Sequence, residues 1–528
     1  MRSASPLLSI AACLCAGVWQ AGTLPTACSA EGDYYRLVTI AAPKAQTDSR
    51  SATWKAPADE LVLEVSGLAP LADGRLGVAI RKGEVWFVGG VSDEPPKNVT
   101  YHRFASGLHE PLGLLCHDGA YYVAQRSELT ALRDVDGDEV ADEYRTVAKG
   151  WGVTGQYHEY VYGPKVDGQG NLWVTLNIGL GLKGDQLSRA LTEPTLNVHQ
   201  GRWRGWGMMV SESGALIPVC AGMRSPSGLG ANAAGDMFYT DQQGNWVGTN
   251  TLHHMRSGAF FHHPESLASM NQVGSTIRGV RNVPDGIPFP EAIKRFPQMV
   301  PPAVWLPYKK VGQSATDIVL DDSHGKFGPF HGQFFIGEFT LAGINRVFLE
   351  RIDGEYQGAC FPFRQGMASA VLRLCQAQDG SLFAGLTNRG WSSLGSAAYG
   401  LQRLVWTGKT PFEIQEMRAK ADGFELLFTS EVDSKTAGDI ASYTMASYTY
   451  TYQATYGSDE IQTKDLAIQS AVVAPDQRSV RLTVSGLRPL YVHELVAKGV
   501  RSAEGQSLVH REAYYTLNRI PPAESATR

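Results

Sequence analysis

Cysteine is scarce in this 528-residue chain: there are seven, and none is spaced CxxC or stands in the CxxCH of attached haem. Charge is thin as well. Asp, Glu, Lys and Arg make up 19% of the chain with a net charge of −5, and no block of Lys or Arg occurs, so nothing here recruits nucleic acid or an anionic membrane. Long apolar runs are missing except for Leu7 to about Trp19, which is too short to span a bilayer. Behind the cationic Arg2 and ahead of the small residues Ala27-Cys28-Ser29-Ala30, that run has the layout of a secretory signal cleaved near Ala30. The expected location is periplasmic or extracellular. Ile10-Ala11-Ala12-Cys13 and the run ending at Cys28 superficially resemble lipoprotein boxes, so a lipid anchor is the alternative. Without the first three cysteines, Cys116, Cys220, Cys360 and Cys375 remain; Cys360 and Cys375 either pair or stay as buried thiols.

Glycine and aromatics are plentiful, at 57 residues and 10%. Six times a turn glycine precedes a short β-prone run: Gly74, Gly119, Gly170, Gly235, Gly332 and Gly380. Their spacing of roughly 45 to 65 residues, with one longer gap, is that of propeller blades. Partner strands follow at 83–88, 128–132, 344–349 and 401–406. Residues 31–59 read as a lead-in in which Tyr34 to Ile40 can supply a closing strand, and the propeller runs over 60–408. The long gap between Gly235 and Gly332 holds Phe260-Phe261-His262-His263-Pro264 and Pro301-Pro302, an insertion of the kind that makes lids or walls.

After Thr410-Pro411 the texture changes. Runs at 424–428, 443–452, 480–484, 491–495 and 513–517 read as strands of a small sandwich over 412–520. The expected fold class is therefore all-β, a six-bladed β-propeller followed by an immunoglobulin- or fibronectin-like β-sandwich.

His158-Glu159-Tyr160-Val161-Tyr162-Gly163-Pro164, continuing through Asp167, Gly170, Leu172 and Trp173, resembles a signature of the soluble quinoprotein glucose/sorbosone dehydrogenases. There a histidine precedes a Gly-Pro turn and an Asp-x-x-Gly-x-Leu strand. Gly222-Met223-Arg224-Ser225-Pro226-Ser227-Gly228 resembles the family's Arg-Asn-Pro-x-Gly, with Ser225 in place of the asparagine. Leu76 to Val85 is a weaker third match. The resemblance covers most of the propeller and leaves the C-terminal module outside.

The resemblance implies pyrroloquinoline quinone (PQQ) and calcium in the axial funnel, a carbohydrate or polyol substrate, and an electron-acceptor protein. His158 would be the general base, Arg224 would stabilise charge on the reduced quinone, and Asp241 and Gln243 would help hold the cofactor and its ion.

Two further patterns stand apart. Asp134, Asp136, Asp138 and Asp142 place carboxylates at alternate positions on a tight turn, as a structural calcium site requires, though Glu139 and Arg145 stand where an EF-hand needs glycine and glutamate. The pairs His253-His254 and His262-His263 could join His158 and Gln243 around a transition metal, which gives a metal-dependent carbohydrate lyase or hydrolase as the alternative enzyme. A non-catalytic glycan-binding propeller is the third reading.

Overall fold

A computed structural model describes residues 27–42, 61–153, 155–179 and 201–523; residues 1–26 of the expected leader and most of the lead-in lie outside them, and the helix Ala27–Tyr34 runs across the expected cleavage point. No helix among the described residues is long and apolar enough to cross a membrane.

The protein is all-β and propeller-like. Glycine turns fold the chain into antiparallel four-stranded meanders at 65–105, 114–149, 161–221 and 228–306. A fifth run of four strands spans 315–364. The last group, 371–406, supplies three strands, and its fourth is Tyr35–Ile40, which pairs with Tyr399–Trp406 from Tyr35↔Trp406 to Ile40↔Leu401. The strand expected from the lead-in is thus in place, and it covers an edge that would otherwise be unpaired.

The innermost strand of each group touches that of the next: 65–70 against 114–117, then 161–166, 228–231, 315–320 and 371–376, which returns to 65–70. Glycine lets two of these backbones approach closely: a Cβ at Gly67 would meet the backbone of Gly113 and Leu114 at 2.7 Å. At the axis Arg373 is buried and donates to the carbonyls of Ser66 (3.0 Å), Ser227 (3.1 Å) and Leu112 (3.1 Å), tying three inner strands together.

Two sheets make the C-terminal module. One contains Ile414–Lys420, Gly423–Phe428, Ser479–Val484 and Ile468–Val473. The other contains Thr444–Thr449, Ile461–Asp465, Tyr491–Val496 and Glu512–Leu517. They share a core that includes Phe412, Met417, Phe424, Leu426, Leu482, Leu495 and Tyr515. Sequence reading missed the strands at 414–420, 461–465 and 468–473; in the last two, exposed polar residues dilute the alternation. Glu512–Leu517 also pairs with Glu355–Arg364 (Gly358↔Thr516 to Cys360↔Tyr514), so one eight-stranded sheet runs from the propeller into the module.

The long insertion does not fold over the ring as a lid. Its Ile287–Pro288 pairs with Thr451–Tyr452, and Tyr452 Oη donates to the His262 carbonyl (2.6 Å), so it docks the module. Cys360 and Cys375 do not pair. Both are free and buried, in separate core clusters.

Candidate functional site

Antiparallel pairing places the start of each inner strand and the end of its neighbour at the same end of the ring. Residues just past the second strands therefore converge: Arg81 after Leu76–Ile80, Asn177 after Leu172–Leu176, Gln242 after Met237–Asp241, and Phe339 after Phe334–Glu338. Arg224, Ser225 and Ser314, which precede inner strands, join them, with His158, Arg389 and Trp391, around a cavity of about 350 Å³.

His158 and Arg224, far apart in sequence, line this one cavity. The His158 backbone N–H donates to Gln156 Oε1 (3.0 Å), and its ring sits edge-on to Tyr157 with centroids 5.4 Å apart. Burial, then the nearby charges of Arg224 and Arg126, hold its pKa below the usual 6.5, so at pH 7 it is a neutral imidazole able to accept a proton.

Arg224 is buried, its Nε has no hydrogen-bond partner, and among the described residues it forms no ion pair with a carboxylate. Its Nη1 reaches only Ser225 Oγ, at 3.4 Å. A Cβ at Gly244 would run into the guanidinium, so glycine there makes room for it. The other two arginines of the lining already have partners, Arg81 with Glu110 and Arg389 with Glu64.

Asp241 does not line the cavity. Its carboxylate accepts from the backbone N–H groups of Arg224 (2.8 Å), Ser225 (2.6 Å) and Gln242 (3.0 Å), and so fixes the loop that carries Arg224. Burial lifts its pKa to about 6. Gln243 also lies behind the wall, donating to the Gly248 carbonyl (3.1 Å). Glu338 repeats the device: it accepts from the N–H groups of Gln313 (3.1 Å) and Ser314 (2.6 Å), and burial raises its pKa to about 7.

Asp134, Asp136 and Asp138 each bring one oxygen within 4.8 Å of the others on the hairpin between Glu128–Arg133 and Glu143–Lys149. Asp142 is not in that group; it accepts from Val135 N (2.8 Å). None of the four lines the cavity.

The histidine pairs do not meet His158. His253 and His262 face each other inside the core with Nε2 atoms 2.9 Å apart, and burial lowers the pKa of His262 and of His263 to about 3. His254 packs on the rings of Phe238 and Tyr356. None of them lines the cavity.

Gln242 and Asn245, of the segment 241–245 that sequence reading singled out, do line the cavity, whereas it missed Arg389, Asn177, Trp391 and Tyr456 as wall residues. Position just past a second strand was the signal for most of them; Tyr456, from the C-terminal module, gave none.

The donor set suits a planar anion: the Arg224 guanidinium, with no ion pair among the described residues, lies with aromatic walls, a neutral histidine and two further guanidiniums that Glu110 and Glu64 already pair. It does not suit calcium held by the protein's own carboxylates, since the lining offers this ion only neutral oxygens.

Residues 98–289 match a family model described as a domain of unknown function, DUF7133. No curated protein matches the chain. Among solved structures the chain is similar to a Thermus thermophilus protein described as an oxidoreductase (glucose dehydrogenase), at 16% identity and a TM-score of 0.48 over 70% of this chain and 100% of that one. It is also similar to the PQQ-bound aldose sugar dehydrogenase of Streptomyces coelicolor (12%, TM-score 0.45, 70% and 98%). A third likeness is to the PQQ domain of pyranose dehydrogenase from Coprinopsis cinerea (9%, 0.45, 70% and 95%). The structures this chain resembles thus include soluble PQQ-dependent sugar dehydrogenases, at low identity.

Proposed function

We propose that this protein is an exported dehydrogenase that uses PQQ to oxidise a hydroxyl of a sugar or polyol, on a six-bladed propeller with an appended β-sandwich. The closed ring of inner strands supports the blade count, and the core shared by two sheets at 412–520 supports the sandwich. Export rests on the N-terminal sequence.

The observation that carries the activity is Arg224, a buried guanidinium that forms no ion pair with a carboxylate among the described residues, in the same cavity as a neutral histidine. Leaving such a cation unpaired is costly, so its placement favours an anionic ligand. Arg224 would hold a carboxylate of PQQ against the aromatic walls, beside Arg81 and Arg389, whose charges are already met by Glu110 and Glu64. PQQ, when bound, supplies a two-electron acceptor for the hydride leaving the substrate carbon. His158 takes the hydroxyl proton on an imidazole nitrogen as that hydride departs, which leaves a carbonyl product and balances the step. The tyrosines of the wall exclude water from the reacting carbon. An electron-acceptor protein would take up the two electrons. No step is assigned to calcium.

The test is an optical titration of the purified protein with PQQ, followed by addition of aldoses. Saturable binding to the wild type, weakened roughly thirtyfold or more in Arg224→Ala as expected for loss of a charge-assisted contact, supports the reading. Absence of binding overturns it.

A further inference from the structure

Four large aromatic side chains are exposed among the described residues: Tyr144, Tyr157, Trp391 and Tyr456. The last three, at 49%, 60% and 58% exposure, line the same cavity. Exposed rings concentrated on one concavity mark a surface kept for a ligand, because rings scattered over a soluble protein would have no reason to converge.

Their origins differ. Tyr157 stands ahead of the inner strand Val161–Val166, and Trp391 follows Leu382–Thr387. Tyr456 comes from the C-terminal module, on the loop between Thr451–Tyr452 and Ile461–Asp465. That loop is fastened to the propeller wall on both sides of Tyr456. Trp246 N donates to the Gln453 carbonyl (2.9 Å), Asn245 Nδ2 to the Ala454 carbonyl (2.8 Å), Gly457 N to the Gly244 carbonyl (2.9 Å) and Ser458 N to the Gly248 carbonyl (2.9 Å). Ala454 N is held in turn by Asp285 Oδ1 of the insertion (2.8 Å). The Tyr456 ring lies over the Arg224 guanidinium, 5.3 Å from its centroid. A residue that merely covered the wall would not need five backbone and side-chain anchors within six positions.

We propose that Tyr456, Trp391 and Tyr157 form an aromatic platform for a pyranose ring at the cavity mouth, and that the C-terminal module thereby sets substrate specificity. This rests on the dehydrogenase reading for its site but not for its test. A pyranose presents faces of C–H groups that pack on aromatic rings, and its equatorial hydroxyls then reach the polar groups of the rim, Asn245 and Gln242. Because one wall comes from the module, the propeller without that loop would have an open, less selective mouth.

Calorimetric titration of the full-length protein with D-glucose, D-mannose, maltose and cellobiose tests it without any cofactor. At least one sugar of this panel should bind the wild type. Tyr456→Ala should weaken that binding about tenfold, the scale of one aromatic contact, while Tyr456→Phe restores it to within about twofold because the ring rather than the hydroxyl acts. Trp391→Ala should move affinity in the same direction. Failure of all four sugars to bind, or wild-type affinity in Tyr456→Ala, overturns the platform. Failure of the PQQ titration with sugar binding intact overturns the dehydrogenase reading and leaves the platform standing.

Discussion

At the scale of single residues, the site is defined by two groups: a histidine held neutral and an arginine that forms no ion pair with a carboxylate among the described residues. His158→Ala removes the base, so turnover should fall by roughly 10²- to 10⁴-fold while PQQ affinity changes little, measured by steady-state kinetics beside the optical titration. The pH profile follows from the sign of the His158 shift. A base must be deprotonated, and burial with Arg224 and Arg126 lowers its pKa, so kcat should be on its plateau at pH 7. It should fall only as the pH drops below 6.5, and a profile still rising above pH 7 would rule His158 out as the titrating base.

At the scale of elements, carboxylates at the ends of second strands build the cavity from behind. Asp241 closes Met237–Asp241 and Glu338 closes Phe334–Glu338, and each holds the loop before an inner strand through backbone N–H groups. Asp241→Ala strands two buried donors and a part-buried one, so it should cost about 2–4 kcal/mol of stability and loosen Arg224, read as a lower Tm together with weaker PQQ binding. Arg373→Leu belongs to the same scale. It removes the donor shared by Ser66, Ser227 and Leu112 and leaves their carbonyls unsatisfied, at a cost of about 3 kcal/mol or more, with cavity binding lost only through unfolding.

At the scale of the whole molecule, propeller and module are joined by a continuous sheet and by a buried charge cluster. His510 lies between Glu413 (2.7 Å) and Glu31 (3.0 Å), and Glu31 also pairs with Arg364 (2.9 Å). Burial opposes the charge on His510, yet the two carboxylates raise its pKa to about 10. A pKa raised on folding stabilises fully below 6.5 and is lost as pH climbs through about 10. The wild type should therefore lose thermal stability between about pH 7 and 10, and His510→Gln should be less stable at pH 7 with a flatter dependence over that range. The core histidines act at the other end. His262, His263 and His493 have pKa values lowered to about 3, so stability should fall as pH drops from 6.5 toward 3.

Much of the scaffold was legible in the chain because its signals are local. Turn glycines, alternating apolar runs and the lead-in strand Tyr35–Ile40 each read directly as elements, and the motifs around His158 and Arg224 pointed to one site. The chemistry of the wall was less legible. Asp241 and Gln243 sit in the right segment but face backward, because backbone groups of the folded loop compete for the carboxylate and amide. The histidine pairs looked like ligands to join His158 until packing buried His253 against His262 in the core, outside the cavity, and set His254 on the ring of Phe238. The sequence by itself determined the strands, their turns and the residue types available, since these depend on neighbours a few positions apart. Only the tertiary structure decided which side chains share a cavity and that Tyr456 faces Arg224 from over two hundred residues away, because ring closure and module docking are set by long-range packing that no local pattern records.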